Sequence, residues 1–377
     1  MSQRQISIIG RGIVGLCIAQ VMVERGWDVA VYGPKYIPGA ASRAAVGTST
    51  LKGNIAAEHP FFALKIAGHR GLKGWLERLE RLSKHPIPRS FEGAYEPFPN
   101  VAGYRFVRER VFHRQFTGCK SVAILDHQRL SDRFPQHTKL LDRTLGAFHY
   151  FNDLWFHPAS CLDALEVFLR SHGVRFCENT VHEIKPHPDS GTLICLANGQ
   201  KIHSAEIVLA AGIFSDQILA NSGFRVPSQE PIEGETVVSG VSQLNPLILK
   251  IGKLNAVVQG QELWLGSTSR RQTALSFCAP FEQDVTFLRQ QVQNLINSDD
   301  VLAVRWGVRG RLKSRMPGIG SLAFPGQQNR RIWVALGFYK NGLQLASLFA
   351  NNFGRLIDNP TAYPTAYPQP MENLLAH

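Results

Sequence analysis

The chain has 377 residues, 44% of them hydrophobic and 19% charged, a length that suits two or three closely packed units and a composition ordinary for a soluble α/β protein. Its 41 basic against 29 acidic residues leave a formal +12, suited to a polyanionic partner or an anionic substrate, although the charges are dispersed rather than blocked, as on a solvated basic face. Six cysteines without a C-x-x-C pair and 13 histidines without H-E-x-x-H spacing show no metal site and fit buried thiols in a reducing compartment.

The first strand begins by about Ile6, too early for a secretory signal, so a cytoplasmic location is expected. It runs into Gly10-Arg11-Gly12-Ile13-Val14-Gly15, the spacing of a dinucleotide-binding turn. Here Gly10 permits the tight turn, Gly12 admits a pyrophosphate, and Gly15 lets helix and strand pack closely. The helix that follows opens at Ile13 and Val14 and offers its N-terminal dipole to the phosphates. Its apolar run, residues 13–23, is too short to span a bilayer, and Gly26 is placed as its C-terminal cap. The second strand, "DVAVYGP", ends in Gly33 where a ribose-gripping carboxylate is expected. Asp28 lies at the far end of that strand and cannot substitute. Lys35 or Arg43 would suit a 2′-phosphate, which leaves an NADP reading open at this point.

Residues 34–55 form a small-residue loop, and residues 59–82 read as a long helix. About 70 residues of mixed chain follow. From Pro158 the α/β pattern returns: a helix with Ser160 as its N-cap, then a strand and turn. A hairpin turning at Asn198-Gly199 comes next, followed by a buried strand over residues 206–210. Residues 231–269 are strand-rich, and residues 284–298 form an amphipathic helix capped by Asp284. The last motif, residues 331–357, is strand, glycine turn and helix, the helix starting near Asn341.

Three segments complete a pattern with the first turn. "IVLAAGIFSD" is an apolar strand ending in Ala-Gly, "WGVRGRLKSRMPGIG" places Arg309 ahead of Pro317, and "ALGFYKNGLQLA" runs a strand through Gly337 into a helix. Together with "GAASRAAVG", these resemble the FAD-dependent D-amino acid oxidase superfamily, which includes glycine oxidase, sarcosine oxidase and the flavin half of a bifunctional tRNA wobble-uridine-modifying enzyme. The resemblance implies an α/β fold in which a Rossmann-type FAD-binding domain (residues 1–55, 155–225 and 305–377) interleaves with an α+β substrate domain. The latter spans residues 56–154 and 226–304 and contains a mostly antiparallel sheet.

The resemblance implies FAD held at Gly10, Gly12, Ile13, Val14 and Gly15. Ser42, Arg43 and Ala44 would lie near the pyrophosphate and flavin, and Val181 would meet the adenine through its backbone. Ala211 and Gly212 would lie on the adenosine side, with Gly337, Asn341, Gly342 and Leu343 at the flavin edge. Arg309 matches an arginine that grips a substrate carboxylate with its planar fork. Lys340 would be either a second anion contact or a solvated loop lysine, Tyr339 would wall the cavity, Trp264 would wall it or, as its type favours, pack in the core, and Ser314 replaces a customary aspartate. The implied reaction is oxidation of the C–N bond of a small amino acid or secondary amine by hydride transfer to flavin N5. The resulting imine hydrolyses, and O2 is one candidate electron acceptor. A tRNA carboxymethylamino-group oxidoreductase and a flavin-binding protein without turnover are the alternatives. No membrane partner is expected. A glutamate in place of Gly33 is expected to tighten FAD by about 1 kcal/mol, provided the strand end tolerates a side chain.

Overall fold

The computed structural model describes residues 4–51, 60–116, 122–135, 143–225, 229–241, 246–272, 279–296 and 298–358. Its first sheet has six strands in the spatial order Gly318–Phe324, Gln327–Leu336, Glu206–Leu209, Gln5–Ile9, Asp28–Tyr32 and Arg175–Cys177. All neighbours in this sheet run parallel except the hairpin formed by the first two. Mostly apolar, continuously buried runs such as "ISII" and "VAVY" bury both faces of these strands, as a sheet covered by helices requires.

The helix Ile13–Glu24 is buried from Ile13 to Met22 and packs against the helices Pro158–Ser171 and Gly342–Asp358. It ends where expected. Gly26 has φ +79°, its N–H donates to Val23 O, and the Trp27 N–H reaches Met22 O. The helix Pro158–Ser171, by contrast, is capped by His157, whose ring nitrogen accepts from the Ser160 N–H, so Ser160 is not the N-cap. Asp284 likewise lies in the first turn of a helix that starts at Glu282. The strand expected over residues 206–210 ends at Leu209.

A second, larger sheet is mostly antiparallel. Its strands run in the order Arg270–Arg271, Glu230–Gly240, Glu262–Gly266, Leu254–Gln259, Leu247–Ile251, Ala94–Phe98, Gly146–Tyr150 and Val122–Asp126. The last three come from the stretch that reads in sequence as undifferentiated chain. They are short, Pro97 interrupts one, and the helix Val101–Phe116 between them has no apolar stripe to announce it. The strand Val301–Arg311 pairs along its length with Glu230–Gly240 and therefore carries Arg309 into the large sheet. The same strand touches the small-residue loop after the second strand: Ala40 bridges to Val308, whose N–H donates to Gly39 O at 2.8 Å. Gly307 makes the approach possible, because a Cβ there would stand 2.7 Å from the Ala41 Cα.

Cys17, Cys161, Cys177 and Cys195 are free thiols; Cys119 and Cys278 lie outside the described residues. Among the described residues, no helix is long and apolar enough to cross a membrane.

Candidate functional site

One long cleft runs from the loop after the second strand, over the start of the first helix, to the strand Val301–Arg311. Local geometry explains the glycines at its floor. A Cβ on Gly10 would sit 2.3 Å from Ala210 O, and one on Gly15 would sit 2.0 Å from Gly10 O, so both are fixed by strand and helix packing. At Gly12 a Cβ would meet only Ser42 Oγ, at 3.2 Å. Gly12 is also the N-cap and supplies no side-chain acceptor, which leaves the first-turn amides facing the cleft, with Ile13 N–H donating to Ser42 Oγ at 3.2 Å. Such a turn suits a pyrophosphate.

Of the residues expected around a cofactor, Gly10, Gly12, Ile13, Val14, Ser42, Arg43, Ala44, Val181, Ala211, Gly212, Gly337, Gly342 and Leu343 line the cleft. Gly15 and Asn341 stand behind its wall. Arg43 lines the cleft, but its guanidinium is engaged elsewhere, by Asp163 at 2.9 Å and by Ala159 O.

The end of the cleft at Gly33 holds a charge cluster that the sequence did not announce. Arg11, the second residue of the glycine turn, is buried and donates from Nε and Nη2 to the Glu166 carboxylate at 2.9 and 2.8 Å. Its Nη1 reaches Glu178 at 2.8 Å. Lys35 pairs with Asp163 at 3.0 Å, beside Arg43. Both cations that would suit a 2′-phosphate are therefore already met by carboxylates, which removes the structural ground for an NADP reading. Gly33 has φ +132°, and its N–H donates to Cys177 O.

In the middle of the cleft, buried Gln229 ties two glycine turns together. Its amide nitrogen donates to Gly212 O at 2.9 Å and to Asp216 at 2.7 Å, while its oxygen accepts from Gly337 N–H at 3.0 Å. Space for it comes from Gly310, where a Cβ would fall 2.2 Å from Gln229 Oε1. Burial raises the Asp216 carboxyl against the hydrogen bonds from Gln229, which lower it. Gln229 carries no motif, so only the folded chain reveals it.

The far end is cationic. Arg309 donates from Nε to Ile232 O at 3.3 Å, from Nη1 to Ser267 Oγ at 3.1 Å, and from Nη2 to Glu233 O and Thr268 O, each at 2.8 Å. Four of its five N–H groups are thus committed, and a single Nη1 hydrogen has no acceptor among the described residues. The two-pronged grip expected from the sequence is not free as the side chain stands.

Tyr339 follows, with φ +48° and its hydroxyl 3.3 Å from Ser269 Oγ. Arg309, Arg311 and Lys340 stand 5.8, 5.4 and 5.5 Å from its ring centre. Burial pushes the Tyr339 phenol up, but Ser269 and the cations outweigh it and hold the phenol below its ordinary value. Lys340 is depressed by burial and by repulsion from Arg309 and Lys253. Lys253 also lines this end and was not foreseen; Arg311 is neutralised by Glu230. No Asp or Glu lines this end of the cleft among the described residues. Trp264 is buried in the core with Val46 and Trp155 and does not line it. Ser314 Oγ accepts from Met316 N–H at 3.3 Å, closing a local turn. No group of three or more His, Cys, Asp or Glu side chains is placed to hold a metal among the described residues.

The sequence profile of the FAD dependent oxidoreductase family matches residues 5–354. The chain belongs to that family. Glycine oxidase from Geobacillus kaustophilus superposes with a TM-score of 0.80 at 20% identity, covering 97% of each chain. Iminodiacetate oxidase from Chelativorans sp. superposes with a TM-score of 0.80 at 16% identity, covering 98% of each chain. In sequence, the tRNA 5-methylaminomethyl-2-thiouridine biosynthesis bifunctional protein of Polaromonas naphthalenivorans is 25% identical over 367 residues. That alignment covers 91% of this chain and 55% of the relative, so this FAD-dependent oxidoreductase spans about half the relative's length. Its cofactor is FAD, and the glycine turn, the uncapped helix start and the small-residue walls fit it. Gly12, Ile13 and Ser42 would hold the pyrophosphate, and the strand-end turns at Ala211-Gly212 and Gly337 line the rest of the wall.

Proposed function

We propose that this enzyme oxidises the C–N bond of a small amino acid or secondary amine that carries a carboxylate, giving an imine that hydrolyses. The observation that carries this reading is the charge at the end of the cleft. Arg309, Lys340 and Lys253 meet there with no carboxylate in the lining among the described residues. Bound FAD supplies the hydride acceptor. The chain's own task is to place the amine. The spare Nη1 hydrogen of Arg309 and the Lys340 ammonium hold the carboxylate, and the Tyr339 ring closes one side. The neutral amine is the form that gives up hydride, and a cationic surround favours the neutral form over the ammonium. Glycine oxidase and iminodiacetate oxidase among the structural neighbours fit the same class of substrate.

A second reading rests on the tRNA-biosynthesis relative and on Lys253 and Lys340 at the cationic end of the cleft: the amine belongs to a modified uridine of a tRNA. Turnover of sarcosine compared with its methyl ester separates carboxylate recognition from the rest. Loss of the carboxylate should raise KM roughly tenfold or more, the worth of one charged hydrogen bond. An ester used as well as the acid would remove Arg309 and Lys340 from substrate binding.

A further inference from the structure

The second strand ends without its ribose carboxylate, yet three carboxylates stand near that point. Asp163 is occupied by Lys35 and Arg43, and Glu166 is buried under Arg11. Glu178 differs from both: its side chain is 63% exposed. It follows Cys177, whose strand lies beside Asp28–Tyr32 in parallel register, with Tyr32 opposite Cys177 and Gly33 N–H bonded to Cys177 O. Glu178 therefore stands level with Gly33, one strand further out. Its carboxylate turns back toward the glycine turn, where it accepts from Arg11 Nη1 at 2.8 Å. The space beside Gly33 is open, since a Cβ there would find no atom closer than 3.8 Å.

We propose that Glu178 is the residue that grips the adenosine ribose of FAD, replacing the carboxylate missing at Gly33. A carboxylate offers about four acceptor positions, and the Arg11 donor leaves room for ribose hydroxyls. Arg11, locked by Glu166 on one side and stacked 4.7 Å from the Phe176 ring centre, fixes the direction in which Glu178 points. Thr180 and Val181, two and three residues further on, line the cleft itself. The inference rests on FAD as cofactor and does not depend on which amine is oxidised.

The test is a binding titration on apoprotein, read by quenching of flavin fluorescence. FAD is compared with an FAD analogue whose adenosine ribose lacks both hydroxyls. Wild type should bind FAD roughly tenfold more tightly than the analogue, as expected for a charged hydrogen bond. Glu178→Ala should bind FAD roughly tenfold more weakly and lose the discrimination. General loosening of the site would weaken both ligands alike and keep the ratio, which would overturn the proposal, as would a wild-type protein that does not discriminate. Should the alanine variant fail to bind either ligand, Glu178→Gln, which retains an acceptor for Arg11, decides by the same ratio.

Discussion

Arg309 serves two purposes at once, and its substitutions have to be read accordingly. Three of its hydrogen bonds go to the carbonyls of Ile232, Glu233 and Thr268, so it ties neighbouring strands together as well as facing the cleft. Arg309→Ala leaves those carbonyls unpaired and should cost about 2–4 kcal/mol of stability besides its effect on turnover. Arg309→Lys keeps the charge and part of the bonding. It should retain FAD while kcat/KM for a carboxylated amine falls roughly 10- to 100-fold. Thermal melts and FAD content measured beside the kinetics separate the two effects; an unchanged kcat/KM in the lysine variant would place Arg309 outside substrate recognition. Gly33 is a second residue whose meaning changed with the structure. At φ +132° a side chain is strained even though the space is open, so Gly33→Glu should weaken FAD rather than tighten it. Gly33→Ala should cost about 1–2 kcal/mol by denaturant unfolding, and a variant as stable as wild type would show that this backbone relaxes freely.

The strand Glu230–Gly240 and the helix Glu282–Ile296 bring together a buried acid, Glu235, and a partly exposed one, Asp284. Glu235 is fully buried, accepts from the Thr268 hydroxyl and from Phe281 N–H at 3.2 Å, and lies beside Asp284. Burial, and then the neighbouring Asp284, raise its pKa above the ordinary value despite those hydrogen bonds. The folded chain therefore keeps a proton there after the unfolded chain has lost its own. Stability falls as pH rises from the ordinary glutamate value to the raised one, and the penalty persists above both. Glu235→Gln, which cannot ionise, should be at least as stable as wild type at pH 7. Its advantage should vanish as pH drops below the ordinary glutamate range. Urea unfolding at several pH values checks this, and a variant much weaker at pH 7 would mean that the charged carboxylate is stabilising. At this scale the sequence was legible where function and local structure coincide. The glycine turn, the helix it opens and the strand-turn-helix near Gly337 are each contiguous, so their spacing declares them. Gln229 and Glu178 are not contiguous with anything they touch. Gln229 meets turns at Gly212 and Gly337 that lie on opposite sides of it in the chain, and no spacing rule reports such a meeting.

At the scale of the molecule, the two sheets had different visibility. The central strands of the first sheet, Gln5–Ile9, Asp28–Tyr32 and Glu206–Leu209, are short, mostly apolar and followed closely by glycine, so the α/β class was readable. The large sheet draws Ala94–Phe98 and Gly146–Tyr150 together with strands from the second half of the chain, and these pairings are set by tertiary packing, not by local pattern. The strand carrying Arg309 reads in sequence as part of the cofactor half, yet it is built into the large sheet and touches the cofactor loop at Val308. This strand touches the loop after the second strand, and Arg309, Lys340 and Lys253 line its end of the cleft. The most direct measurement of the central claim is anaerobic reduction of the FAD-loaded protein by candidate amines, followed in the visible flavin band. The band should bleach with glycine, sarcosine or a related carboxylated secondary amine, and should not bleach with the corresponding amines that lack a carboxylate. A flavin that stays oxidised with every small amine and bleaches only with a modified tRNA would contradict the small-substrate account.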